Sequence, residues 1–384
     1  MDLIYGITSP LFFKNIRSGQ VSHAAGIVSG LIDNGINVTV VGPKNGQNIF
    51  SEIGGVSYKP IEGLRFKRLR LLSEVFSVYK FFKVLKSTKG DVLLIRKNLA
   101  FVLFYYLSFG LRLMSIDKAS IIWEVNGFTA ERLKGVFLLD VIYELFLRMN
   151  CRALSGSKGI YVVSSPLKSE IARILDVKVD KVVVINNGAP SIIKRNVFDN
   201  DSKEKCEFIF FGVFQKYNDF ENVLNAFETL PESDRKRAKL TFVGYGSCDN
   251  IFKSYVLKNN DIVVEKPKSR FELFNENVEG KRVFGLIPLM PSKGAEFLSP
   301  IKLYEYASLG MPVLASDNYQ SMNPASFVST YKAGSLQDLA EKMSSLINSE
   351  KSYKLSVKEA FEYAENNSWS SRMKLLISEL TIPD

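Results

Sequence analysis

A chain of 384 residues is longer than one hydrophobic core usually supports, so two domains of about 190 residues each are expected. Its 46% hydrophobic and 12% aromatic content can fill both cores, which excludes a disordered or low-complexity protein. The formal charge of +10 is one-sided: residues 1–190 carry 25 Lys+Arg against 14 Asp+Glu and the remainder 25 against 26, which suits nucleic acid, a phospholipid surface or a phosphate-bearing substrate.

Three scattered cysteines, Cys151, Cys206 and Cys248, provide neither a disulfide framework nor a zinc site. The chain opens directly on strand-like residues, with no charged stretch before a long apolar run, so a cytoplasmic location is expected.

Short β-branched runs bounded by turn residues predict buried parallel strands at 3–7, 38–42, 92–95, 119–125, 159–163 and 181–185. Helical spacing occupies 20–34, 73–86, 135–154 and 165–175 between them, which makes a βαβ series. Polar residues dominate from 190 to 207 and mark a domain crossing. A second series follows, with strands at 208–212, 239–243, 262–264, 283–288 and 312–315 and helices at 218–229, 250–257, 271–275 and 301–309. The predicted fold class is therefore α/β, two Rossmann-like doubly wound parallel-sheet domains facing a cleft. The domains are 1–190, a linker at 191–206, 207–366, and a C-terminal helix at 367–384 that could pack on either domain.

In the first half, Gly19 leads into a helix that carries His23, the one histidine of the chain and so a candidate general base or a packing residue. Residues 64–89 set Arg68, Arg70, Lys80, Lys83 and Lys86, among other bases, against one acid, Glu74, with aromatics interleaved. Such a pattern favours an anionic membrane surface. The apolar run 99–111 is too short to cross a bilayer and reads as a core helix or a membrane-facing one. RNA binding would account for the charge but leaves the second domain unexplained, so nucleic acid is not an expected partner. Arg96, Glu124 and Asn126 follow strands, at the ends where α/β sheets place ligands. Asn186-Asn187-Gly188 reads as a turn at the domain junction.

In the second half, Gly212 closes a strand and Lys216 follows it, while Val243-Gly244-Tyr245-Gly246 forms a second glycine turn. The most informative stretch is Ser299-Pro300-Ile301-Lys302-Leu303-Tyr304-Glu305-Tyr306, ending at Gly310 and a strand. Ser299 is a good N-cap and Pro300 a good first helical residue, so peptide N–H groups would face the cleft with Lys302 in the first turn and Glu305 on the same face.

This stretch resembles the nucleotide-sugar motif of family-4 retaining glycosyltransferases, in the Ser-Pro-x-Lys-x-x-Glu-Tyr variant of bacterial surface-polysaccharide enzymes. The resemblance implies a GT-B fold and donor contacts from Gly19, Gly212, Lys216, Gly244, Gly246, Ser299, Pro300, Lys302 and Glu305. In the family's Glu-x7-Glu pattern the second glutamate holds the ribose hydroxyls, which maps onto Glu305. The first falls at Phe297, with Glu296 one residue away. The family's diphosphate-gripping Arg and Lys are replaced by Val213 and Asn218, leaving Lys302 and Lys216 to take that part. Residues 264–268 lie where the family's base-binding backbone would be. Relatives often place a sugar-contacting histidine near Asn126, for which a positioning role is implied. His23, Arg96 and Glu124 are acceptor-side or sugar-side candidates.

The expected reaction is a metal-independent hexosyl transfer with retention, from a UDP- or GDP-sugar to a glycan or polyprenyl-diphosphate-linked glycan. No cofactor is expected, and catalysis rests on Lys302 and Asn126, with the leaving phosphate deprotonating the acceptor. The one Asp-x-Asp, Asp199-Asn200-Asp201, falls in the polar linker and not at a strand end. Membrane attachment would be peripheral, on the cytoplasmic face. Alternatives are a sugar-nucleotide 2-epimerase, for which one histidine is few acid/base groups, and a catalytically silent GT-B partner subunit.

Overall fold

The computed structural model describes residues 1–10, 12–14, 18–62, 70–96, 120–126, 157–175, 178–194, 205–279, 281–290, 299–318 and 325–381. The expected helix at 135–154, the run 99–111, Arg68, Glu296, Phe297 and Asp199-Asn200-Asp201 lie outside them.

The first sheet has seven parallel strands: β1 (Asp2–Gly6), β2 (Asn37–Pro43), β3 (Ser57–Ile61), β4 (Val92–Arg96), β5 (Ile121–Val125), β6 (Gly159–Val162) and β7 (Val182–Val184), in the order β3-β2-β1-β4-β5-β6-β7. Its central strands are buried along nearly their whole length, Leu93, Leu94 and Ile95 being inaccessible, because helices cover both faces. The second sheet has six: β8 (Cys206–Phe214), β9 (Ala238–Gly246), β10 (Ile262–Glu265), β11 (Val283–Ile287), β12 (Val313–Ser316) and β13 (Val328–Tyr331), in the order β10-β9-β8-β11-β12-β13. All pairings between these strands are parallel.

In both sheets the strand order reverses once, between β1 and β4 and between β8 and β11. That reversal opens a crevice at the C-terminal strand ends, where open α/β sheets bind ligands.

The helices used below are α1 (Gly19–Asp33), α2 (Arg70–Lys86), α3 (Ser165–Leu175), α4 (Phe220–Glu228), α5 (Asp249–Lys258), α6 (Ile301–Ala307), α7 (Leu336–Asn348), α8 (Glu350–Asn366) and α9 (Trp369–Thr381). The sequence pattern does not predict β3, β13 or α7. Both strands are sheet edges, and each is only partly covered, so neither carries a continuous apolar run; β3 also contains Pro60.

The chain returns to its first domain at the end. Trp369, Met373 and Leu376 of α9 belong to the same apolar cluster as Leu3, Ile27 and Leu31. α1 admits α9 through two glycines: a Cβ on Gly26 would come within 2.1 Å of the Trp369 ring, and one on Gly30 within 2.4 Å of the Trp369 carbonyl oxygen.

Candidate active site

A cavity of about 780 Å³ opens between the two sheets. The start of α1 contributes Ser18, Gly19, Gln20 and Ser22, the end of β8 contributes Gly212 and Val213, and the loop after it contributes Gln215, Tyr217 and Asn218. Gly244 and Tyr245 end β9, and Lys268 and Arg270 follow β10. Ser299, Pro300, Ile301, Lys302 and Glu305 close it. Lys216 and Gly246 are not part of its lining.

Ser299 does not cap α6, in contrast to the reading of the sequence. Pro300 takes the N-cap position (φ −73°, ψ 109°), and its carbonyl accepts the Leu303 N–H at 3.1 Å. Ser299 lies one residue too early to reach the first turn. It turns instead to the first domain: its Oγ accepts the Asn187 N–H at 3.1 Å, and its carbonyl accepts from Asn187 Nδ2 at 2.6 Å. Alongside, Gly19 gives α1 room against α6, since a Cβ there would lie 3.1 Å from the Ile301 side chain.

Lys302 and Glu305 share one face of α6, as their spacing requires, with Nζ 3.6 Å from Oε2. The ammonium also stands over the rings of Phe211 (4.6 Å) and Phe210 (5.4 Å), which hold it in place by cation–π attraction. Glu305 Oε2 is buried with no hydrogen-bond partner. Gly212 has a positive φ of 131°, and a Cβ there would meet Lys302 Nζ at 2.5 Å. Gly244 (φ 153°) pairs with Gly212 across β8 and β9, where a Cβ would lie 1.8 Å from the Gly212 oxygen. A Cβ on Gly246 would lie 2.1 Å from the Phe214 oxygen. These two glycines thus serve the close approach of the strands themselves, and Gly244 also lines the cavity.

Among the described residues, the cations lining the cavity are Lys268, Arg270 and Lys302. Lys268 is committed to Glu265, to Glu276 at 2.9 Å and to Asn277 at 2.7 Å. Arg270 was not legible as a site residue. It opens the short helix Arg270–Leu273 behind a capping box in which Ser269 and Glu272 cap each other reciprocally. Its Nη1 donates to the Ser191 carbonyl at 2.6 Å and to Ser308 Oγ at 3.1 Å. Burial lowers its pKa, and the nearby Glu305 charge opposes that shift. The Ser-x-x-Glu pattern at 269–272 is the sequence signal that could have pointed to it.

A second polar cluster lies deeper in the first domain. Glu124 is inaccessible to solvent and accepts from Tyr5 OH at 2.8 Å on Oε2. On Oε1 it meets His23 Nε2 at 3.0 Å, Arg96 Nη1 at 3.5 Å and the Asn126 amide. Burial alone would raise its pKa. The His23 charge and hydrogen bond, the Arg96 guanidinium and the Tyr5 hydroxyl outweigh burial and hold the carboxyl at about 2. The other His23 nitrogen, Nδ1, lies 2.5 Å from Asn187 Oδ1. His23, Arg96, Glu124 and Asn126 do not line the cavity; His23 and Glu124 are buried, and Asn126 Oδ1 is left without a partner. His23 is buried, held in this polar network with Trp369 edge-on at 5.2 Å.

Of the basic stretch, Arg70 begins α2, Lys83 and Lys86 are exposed, and Lys80 is half-buried over the Phe76 ring at 5.4 Å. Among the described residues no helix is long and apolar enough to cross a membrane, and no group of three or more His, Cys, Asp or Glu could hold a metal ion.

No family model and no curated protein matches the sequence. Solved structures match along the whole chain. WaaG, a glycosyltransferase involved in lipopolysaccharide biosynthesis, superposes with a TM-score of 0.65 at 13% identity, covering 99% of this chain and 100% of that one. Sucrose-phosphate synthase from Thermosynechococcus elongatus gives 0.70 at 12%, covering 99% of each chain. Anabaena Alr3699/HepE in complex with UDP and glucose gives 0.65 at 11%, again covering 99% of each. The fold is GT-B, two parallel α/β domains facing a cleft, as the sequence pattern predicts.

Proposed function

We propose that this chain is a glycosyltransferase that moves a hexosyl group from a UDP- or GDP-sugar to a glycan or polyprenyl-diphosphate-linked glycan, with retention and without a metal ion. The observation that carries the reading is the group Lys302, Arg270 and Glu305, held together on a cavity at the strand-order reversal of the second sheet. The similar fold of Alr3699/HepE, which is described in complex with UDP and glucose, supports it.

In this reading Lys302 and Arg270 stand against the diphosphate. As the bond between the anomeric carbon and the diphosphate oxygen breaks, negative charge grows on that oxygen. Two fixed cations in a partly enclosed site stabilise it. A leaving-phosphate oxygen takes the proton of the acceptor hydroxyl as the new glycosidic bond forms. Glu305, whose Oε2 is ion-paired with Lys302 but has no hydrogen-bond partner, accepts from the ribose hydroxyls. Gly19, Gly212 and Gly244 keep the walls low enough for the donor to enter, while Asn126, outside the cavity lining, bears on the transferred sugar from the Glu124 cluster and not by direct contact. Lys216 and Gly246 act outside the first layer of contacts in this scheme.

A second reading, a silent partner subunit, is favoured by Val213 and Asn218, which stand on the cavity wall where cations would grip a diphosphate. It predicts nucleotide binding without turnover. Thermal-shift screening against UDP-, GDP- and ADP-sugars, followed by donor hydrolysis and transfer assays with Glu305→Ala, tests both. An active enzyme indifferent to Glu305→Ala overturns the site assignment. The same reading places the enzyme at the cytoplasmic face of the cell membrane, with the basic face of α2 toward anionic lipid.

A further inference from the structure

We propose that Asn187 is a positioning residue that joins the buried His23–Glu124 pair of the first domain to the segment carrying Lys302 and Glu305, and thereby sets the cavity's affinity for a nucleoside diphosphate. The affinity half of this statement rests on the donor reading above; the positioning half does not.

Asn187 is buried, and both polar atoms of its side chain are used. Nδ2 donates to the Ser299 carbonyl at 2.6 Å, the backbone N–H donates to Ser299 Oγ at 3.1 Å, and Oδ1 lies 2.5 Å from His23 Nδ1. Ser299 is three residues from Lys302. α6 makes no side-chain cap of its own, so its start is placed from outside, by these two hydrogen bonds and by the packing of Ile301 on the first domain's core.

The orientation of the amide is fixed at its Ser299 end, where turning it over would set Oδ1 against the carbonyl. In that orientation Oδ1 accepts from His23 when Nδ1 carries a proton. His23 is fixed in turn, because its other nitrogen meets the Glu124 carboxylate at 3.0 Å while Trp369 lies edge-on at 5.2 Å. The relay therefore runs Glu124, His23, Asn187, Ser299 and ends on the helix that carries the two charged cavity residues. Glu124 and His23 do not touch the cavity, so they act on it through Asn187.

Hydrogen exchange and nucleotide binding, measured on the full chain together with melting temperatures, test this. Asn187→Ala and His23→Gln break the relay. His23→Asn gives up the contact with Glu124 but keeps the link to Asn187, because the short amide puts an N–H near the place of Nδ1. Protection of amides 301–307 should fall about tenfold in the first two variants while β8 and β9 keep theirs. The dissociation constant for UDP or GDP, whichever the wild type binds, should rise about tenfold in the same two variants, with His23→Asn close to wild type.

A folded Asn187→Ala protein with unchanged protection at 301–307, or with a loss spread evenly over the second domain, overturns the proposal. If Asn187→Ala does not fold, Ser299→Ala removes one of the two hydrogen bonds and should show the same pattern at smaller amplitude; no change there is equally decisive. A wild type that binds neither nucleotide overturns the donor reading and with it the affinity half, while exchange still decides the positioning.

Discussion

Gly212 and Lys302 occupy one shared volume: a Cβ at position 212 would lie 2.5 Å from the lysine Nζ and 2.9 Å from its Cε. Gly212→Ala should therefore push the ammonium off Phe211 and away from Glu305, besides adding strain of about 1–3 kcal/mol at a φ of 131°. Lys302→Ala removes the same ammonium directly. The two losses of nucleotide affinity should then overlap, with the double variant little weaker than Lys302→Ala alone. Strictly additive losses in a calorimetric double-mutant cycle would show that the glycine acts independently.

Glu124 predicts a particular acid limb. Its pKa is held at about 2 in the folded chain against 4.5 without the fold, so its contribution is fully present above about pH 4.5 and is lost as the pH falls toward 2. The amount at stake is on the order of 3 kcal/mol. Denaturant titrations between pH 6 and 3 should show a shallower decline for Glu124→Gln than for the wild type. Parallel curves would place the acid sensitivity elsewhere.

The C-terminal helix should matter to the first domain more than to the second. Trp369→Ala empties a position that is 5% exposed and should cost about 3–5 kcal/mol. Gly30→Ala should act on the same contact by pushing α9 outward, without removing an apolar atom. In domain-resolved hydrogen exchange, both variants should deprotect β1 and α1 before β8 and β9. Deprotection led by the second sheet would contradict this.

Attachment to anionic lipid, if it runs through α2, should follow charge and not shape. Lys80, Lys83 and Lys86 together should contribute about 1 kcal/mol each near a charged surface. Flotation should recover the wild type with anionic but not zwitterionic vesicles, and charge reversal of the three lysines should abolish it. Equal recovery of wild type and variant ends the assignment.

What the sequence reveals and conceals follows from range. Strands such as β1 and β4 are buried on both faces by helices on either side, so a local apolar run identifies them. β3 and β13 stand at sheet edges and carry no such run. Lys302 and Glu305 are three residues apart, and helical spacing alone puts them on one face. His23 and Glu124 are separated by 101 positions, and Asn187 and Ser299 by 112, so neither pairing leaves a local trace. Ser299 shows the difference most directly. Its sequence neighbourhood describes a cap, but the first domain supplies its partner.

The return of α9 also bears on the order in which the protein can assemble during synthesis. The N-terminal sheet is translated early, yet Trp369, Met373 and Leu376 fill part of its apolar cluster. Until residue 376 has left the ribosome, the groove beside Gly26 and Gly30 stays open to water and to other nascent chains. The second domain, whose own apolar clusters draw on residues up to Ala364, closes first. The half made first is thus the half finished last, and a chaperone that covers exposed apolar surface would have its longest hold on the α1 face.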